Sequence, residues 1–342
     1  MSTLIQMSKK RTLTIVVIAA LGITIVMLIL NKAFQKRPSF QKPPVHKPII
    51  ESNYSKGSLN IEALLKKSDI NIPASLPVYS LGQSNLSLEE SVKIAFFFGF
   101  SDDPQSLNDV RFGPVYIWSD TKIGNLRIVA NLRIIDYKRA QSQPETRKGP
   151  FKSEQEIVSK AKRFLVGTGL ITEEISSSSQ VRYLNMVEEG LIEAEKENAG
   201  VAEIRFKEIL SQYPVVNATP DVGTINVTLN RENSVVSAYI DQTNILEIEG
   251  ERQLKTFSTL LISLKDAKVL SLDNGNIDLS SLGENEINKI VVEGASIGYY
   301  QEFSQNQLFL QPIFILTGHA QFRNGKNVSA LLYLPALADS AQ

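Results

Sequence analysis

Residues 12–30, TLTIVVIAALGITIVMLIL, carry no charge, and their only polar side chains are Thr12, Thr14 and Thr24. About 20 apolar residues in a helix span the hydrocarbon core of a bilayer. A soluble helix of that length keeps a polar face, and this run has none. The run predicts a membrane-spanning helix. It is longer than the ~7–15-residue core of a cleaved signal peptide. Asn31, Lys32, Ala33 and Phe34 follow it without a small-x-small cleavage site. An uncleaved signal anchor is expected, with 1–11 as a cytoplasmic tail and the remainder outside the cytoplasm. Lys9, Lys10 and Arg11 precede the helix, whereas Lys32, Lys36, Arg37, Lys42 and Lys47 follow it. Counted alone, these charges would put the C-terminal side inside. However, long domains cross largely regardless of charge, and the short tail has no acidic residue. The expected location is therefore the cell membrane, single-pass, with the N-terminus inside.

Composition narrows the chemistry. The 36 basic residues balance the 36 acidic ones, which gives no electrostatic footprint for nucleic acid. There is no cysteine, so disulfides, thiolate catalysis and cysteine metal sites are excluded. Such a chain suits a bacterial cell envelope. Histidine occurs only at His46 and His319, and triads and zinc sites usually need histidine or cysteine.

Prolines 38, 43, 44 and 48 make 31–57 an extended spacer. The rest is long enough for two compact domains: a first α+β module over 58–141, then an α+β region over 152–338 dividing near 250. Three stretches share a plan of a helix followed by antiparallel strands. In the first, Ser87 and Glu90 form a capping box and Gly99 stops the helix. Strands follow at 113–120 and 124–137. The latter is read as one strand burying Leu126, Ile128, Ala130, Leu132 and Ile134. In the second, Ser153 and Glu156 cap a helix with Ile157, Ala161, Phe164 and Leu165 on its apolar stripe and Gly167 at its end. Strands follow at 201–210, 223–230 and 234–241, the last two joined by a tight turn at 231–233. The third opens with a helix over 258–275. The fold class expected is α+β: antiparallel sheets with helices packed on one face, behind an N-terminal transmembrane helix.

The motifs for catalysis are weak. Ser-x-x-Lys occurs at Ser39/Lys42, Ser119/Lys122 and Ser159/Lys162, without the Lys-Thr-Gly element such serines work with. Ser159 is the best placed, but Lys160, Lys162 and Arg163 give it the look of a solvated face. The stretch 273–284 starts with Asp and ends with Glu like a calcium loop, yet Asp278 stands where that loop needs glycine. Tyr116, Trp118, Tyr299 and Tyr300 suit a sheet core or rim better than a ligand groove. No catalytic, cofactor-binding or metal-binding residue is assigned, no cofactor is expected, and no small-molecule substrate is marked.

The C-terminal part carries Ser263, Leu264 and Ala267, then Gly298, Tyr299 and Tyr300, then Leu310, Gln311 and Pro312. With this order the chain resembles PepSY-like modules of bacterial envelope proteins, most of all the YycH/YycI class of membrane-anchored regulators of a cell-wall sensor kinase. The similarity covers roughly 200–338, and 85–140 more loosely. It implies one membrane helix, an extracytoplasmic α+β region, binding to membrane partners and no catalysis.

Residues 297–303 and 308–317 predict an antiparallel hairpin with its turn near 304–307, the second strand ending at Gly318. Both faces of 308–317 are apolar. A cover on each is expected, one of them a helix at 263–272. A proline cannot donate to a ladder, so Pro312 is expected at an edge, a strand start or a bulge. The sequence thus points to a non-enzymatic, membrane-anchored module that binds a protein of the envelope, such as a sensor kinase. An envelope serine/lysine hydrolase or transpeptidase is the rival reading, as is a subunit of a secretion or surface-fibre machine.

Overall fold

In a computed structural model of the chain, residues 48–50, 52, 54, 59–82, 85–140, 149–169, 179–187, 190–218, 223–241, 245–283, 286–302 and 307–338 are described. The expected anchor and cytoplasmic tail lie outside them, as do Ser39, Lys42, His46 and most of the spacer. Among the described residues no helix is long and apolar enough to cross a membrane.

The chain is α+β and dominated by strands. It runs through β1 (Ile61–Ala63), β2 (Ser75–Leu81) and helix α1 (Leu88–Phe97). Four strands follow, β3 (Gln105–Asp109), β4 (Gly113–Asp120), β5 (Gly124–Val129) and β6 (Ile134–Arg139). Helix α2 (Glu154–Gly167) leads into β7 (Ser179–Val187), β8 (Gly190–Glu193) and β9 (Val201–Phe206). Next come β10 (Ile209–Leu210), β11 (Tyr213–Val216), β12 (Ile225–Asn230), β13 (Val235–Asp241) and β14 (Ile245–Gln253). The chain closes with α3 (Phe257–Ser263), β15 (Lys268–Leu272), β16 (Ile287–Tyr300), β17 (Phe309–Phe322) and β18 (Asn327–Pro335).

The first sheet has the order β3-β4-β5-β6-β13-β12-β9-β7-β8. Setting aside β8, and the passage through β10 and β11 of the second sheet between β9 and β12, it consists of two four-stranded antiparallel runs, each preceded by a helix. Their last strands, β6 and β13, pair antiparallel, with Tyr137 opposite Ala238. This pairing joins residues on either side of 141–152 into one sheet. The predicted capping boxes start both helices: the Ser87 and Ser153 hydroxyls accept from the Glu90 and Glu156 N–H groups. Both helices lie on the same face. Ile94 and Ala95 of α1 and Ile157, Ala161 and Leu165 of α2 enter one core with Leu126, Ile128, Ile135, Ile204 and Val227. The helix ends meet through rings: Phe164 lies 5.5 Å from both Phe97 and Phe98, and Phe98 lies 4.7 Å from Tyr137.

Two strand readings need correction here. Residues 124–137 are a hairpin, not one strand. A short 3-10 turn over Ala130–Leu132 ends at Arg133 in the left-handed region (φ 55°). After this turn the phase changes. Ile135 and Tyr137 enter the core under the helices, while Leu132 and Ile134 do not. Likewise 201–210 divides after Phe206: β9 stays in the first sheet, and β10 joins the second.

The second sheet also has nine strands. Its spine is the 14-residue pair β16 and β17. Beyond β17 lie β18 and then β15. The outer edge of β16 is divided between two parallel partners, β1 at Ile290–Val292 and β11 at Tyr299–Tyr300. The outer edge of β17 is divided too. Phe309 and Leu310 pair with β2, and Ile313–Gln321 pair with β18. The predicted hairpin is present, with Tyr299 opposite Pro312; residues 303–306 of its turn lie outside the described residues. Both faces of β17 are buried through Phe314. Ile313 packs with Tyr300 and Tyr333 in one cluster, and Leu310 packs with Tyr79 and Tyr299 in another.

Pro312 is neither on an edge nor at a bulge. Its carbonyl accepts from Ala336 N–H, so its backbone polar side faces the seam where β2 gives way to β18. A missing donor is tolerated there because neither partner strand reaches the position in regular register. The register shifts of the hairpin fall elsewhere, at 287/289 and 292/294. The strand also continues past Gly318 to Phe322, placing His319 inside it. A β-carbon at Gly318 would stand 1.9 Å from the Val291 carbonyl, so glycine marks a close backbone approach, not an end. Finally, the expected helix over 258–275 stops at Ser263. Residues 264–266 form a 3-10 turn, Ala267 is extended, and 268–272 become strand β15 beside β18. Helix 263–272 as a cover for β17 is therefore withdrawn. Short apolar runs satisfy either period, and the neighbouring β18 decides this one.

Candidate functional site

The helix-free face of the first sheet holds the most distinctive surface. Alternation sends Arg127, Asp136, Tyr239, Asn226 and Arg205 to this face, because Leu126, Ile128, Tyr137, Ala238 and Ile204 occupy the other. The register aligns them in one row across five strands: Arg127 opposite Asp136, Asp136 opposite Tyr239, Tyr239 opposite Asn226, and Asn226 opposite Arg205. Farther along, Glu203 accepts from Arg205 at 2.7 Å and from Arg182 at 3.4 Å, so that part of the face is internally paired.

At the β5–β6 end the face sinks into a groove of about 190 Å³. Val129 and Ile134 form its apolar floor, with Phe112 and Leu132 as side walls. Arg127, Asp136 and Tyr239 line the remaining side. Two turns build the walls. The Asp109 carboxylate accepts from Arg111 N–H at 2.8 Å and Phe112 N–H at 3.0 Å, which fixes the β3–β4 turn. Asn131, from the β5–β6 turn, packs against Gly113 at a spot that a β-carbon would fill. Burial pushes the Tyr239 phenol up, and the charges of Asp241 and Asp136 push in the same direction. The phenol is therefore a neutral hydrogen-bonding group at any ordinary pH.

Behind the groove lies a buried acid. Asp241, opposite Ile134, is 2 % exposed. Burial raises its pKa to about 7, against hydrogen bonds from Asn217 and Gln301, and nearby Glu208 adds to the rise. Gln301 Nε2 donates to Asp241 Oδ1 at 2.7 Å, while Oδ2 is buried without a hydrogen-bond partner. Asp241 ends β13 of the first sheet. Asn217 and Gln301 follow β11 and β16 of the second, so the cluster sits where the two sheets join.

The serines weighed from sequence are not drawn together. Ser159 is exposed on α2, where its carbonyl meets Arg163 Nε at 3.4 Å, and Lys162 is half-buried. Ser119 and Lys122 are both exposed. His319 Nδ1 lies 3.2 Å from Glu293, the residue bulged out between Val292 and Gly294. Tyr299 and Tyr300 are core residues, and Trp118 is buried with its indole N–H on the Asp102 carbonyl. Asp273 and Asn274 form a left-handed turn, while Glu284 lies outside the described residues.

Arg127, Asp136, Tyr239 and Asp241 escape sequence reasoning because nine, then 103, then two positions separate them in the chain; only strand register brings them together. Comparison with protein-family models, with curated proteins and with solved structures gave no match.

Proposed function

We propose that this protein is a membrane-anchored, extracytoplasmic binding module that regulates or scaffolds a protein partner of the envelope. The observation that carries this reading is on α1. An amphipathic helix on a sheet normally turns polar residues outward. Here Leu88, Val92 and Phe96, at spacing i, i+4, i+8, are 47 %, 38 % and 74 % exposed, with Phe97 beside them at 41 %. Contiguous apolar surface of this kind marks an interaction site. It supports a partner that offers an apolar helix or groove. The solvent-facing Ser159 favours binding over serine/lysine catalysis, and the charge-free run at 12–30 supports the anchor.

A photo-crosslinking amino acid at Phe96, in intact cells, tests the reading. The expected result is one predominant adduct with a membrane or wall-associated protein, lost when the crosslinker is moved to exposed Ser159. Adducts with lipid alone, or equal labelling from both positions, would overturn it.

A further inference from the structure

We propose that the groove on the helix-free face of the first sheet is a binding site for a free α-amino acid with an aliphatic side chain. The inference goes beyond the protein-binding reading and does not depend on it. Arg127 and Asp136 are direct cross-strand neighbours. Opposite charges so placed normally close on each other. Yet among the described residues neither forms an ion pair or a side-chain hydrogen bond, although Glu203 and Arg205 do so on the same face. The guanidinium and the carboxylate therefore both remain available at one rim. A guanidinium offers a planar fork to a carboxylate, and Asp136 offers two acceptor oxygens to an ammonium.

An α-amino acid carries both groups on one carbon and matches that rim. Its side chain then falls on the floor made by Val129 and Ile134. Val129 is largely covered by its neighbours, so half-buried Ile134, between Leu132 and the strand row, presents most of that apolar surface. Tyr239, opposite Asp136 and kept neutral by burial, adds a hydroxyl on the same rim. Size points the same way. A cavity of about 150 Å³ admits one benzene, and about 190 Å³ suits a ligand slightly larger, such as leucine. Bulkier ligands meet Phe112 and Leu132. A ligand with only one of the two charges leaves the other groove charge partly desolvated with nothing gained, so the site discriminates for the zwitterion.

The test is ligand-observed saturation-transfer NMR on the full-length chain in detergent, with L-leucine titrated to about 10 mM, a range suited to weak binding. Isovalerate, isopentylamine and N-acetyl-L-leucine amide serve as comparisons. Leucine should saturate in the millimolar range or below, and each of the three analogues should bind roughly tenfold or more weakly, the loss expected for one missing charge-assisted contact. Arg127→Gln and Asp136→Asn should each weaken leucine by a similar factor with little change in the thermal midpoint, since among the described residues neither side chain holds a hydrogen bond or an ion pair. No saturation by leucine, or equal binding of the uncharged amide, would overturn the proposal without recourse to any variant. A peptide-only site would appear as tighter binding of the amide than of leucine, and would overturn it too.

Discussion

The two sheets contain equal numbers of strands but differ in what their faces meet. The first puts its helices on one face and leaves the other polar; that face is open along β5 and β6, whereas β9 and β12 are buried on both sides. The second uses two long strands as a spine and buries both faces of β17 from Phe309 to Phe314. Its ladder is irregular, with divided edges and two register shifts. A sheet with one open face can carry charges such as Arg127 and Asp136 at low cost, because water solvates their far side. A stretch buried on both faces carries charge only when it is paired, as Glu203 is with Arg205 and Arg182, and β17 from Phe309 to Leu316 carries none.

The sharpest way to break this contrast is to put the same charge on each sheet. Phe314→Asp places a carboxylate at a position 0 % exposed in the spine and should cost several kcal/mol, about 4 or more. Ser237→Asp, on the open face opposite Lys138, should stay within about 1 kcal/mol. Chemical denaturation reads both, and equal losses would abolish the distinction.

The junction comes next. Asp241 has a raised pKa, about 7 against 3.8 unfolded. Between those values the folded chain holds a proton that the unfolded chain has lost, so this residue's contribution to stability falls as pH rises. The full effect is on the order of 4 kcal/mol, at about 1.4 per pH unit. The difference in unfolding free energy between the wild type and Asp241→Asn should therefore shift steadily from about pH 4 to pH 7 and level off above. A flat difference would mean that the carboxylate is hydrated. Gly318→Ala should cost about 1–3 kcal/mol, because the Val291 carbonyl must move. Gly200→Ala, where the nearest atom would be 3.6 Å away, should cost less than about 1 kcal/mol. Thermal unfolding of the two variants checks this. The smallest effects sharpen the comparison within the first sheet. Ser87→Ala and Ser153→Ala each remove a helix cap worth about 1 kcal/mol, and the two losses measured by denaturation should be similar if the two halves are equivalent in build.

Much of the fold was legible where a local rule sufficed. Both capping boxes, strand β4, the turn between β12 and β13, and the pairing of Tyr299 with Pro312 follow from residues close in the chain. Other features were hidden for physical reasons. The turn at Arg133 uses no glycine or proline, so alternation appeared to run through it. Lys268–Leu272 becomes a strand because β18 offers an edge about 60 residues later, a partner no local propensity encodes. Pro312 obeys the rule about missing donors, but at a seam between two partners that sequence does not display. The groove was the least legible feature, since its charged rim exists only once β5, β6 and β13 are in register.

Of the strands nearest the N-terminal end of the described chain, β1 finds its partner in β16, with Ile61 set against Ile290, and β2 pairs with β14 along its length and with β17 at Phe309 and Leu310. We predict an order of assembly from this, which pulse-labelled hydrogen exchange during refolding would check. The core of the first sheet closes from residues 88–241, so it can form while the rest of the chain is still emerging. The second sheet must wait for its spine; until then β2 has only β14 beside it, and β1 has no ladder to join. Long loops must close before those contacts return anything, which makes this step the slow one. A chain cut short before residue 287 would have one finished sheet, a lone β2–β14 pair and an unpartnered β1 exposed to proteases.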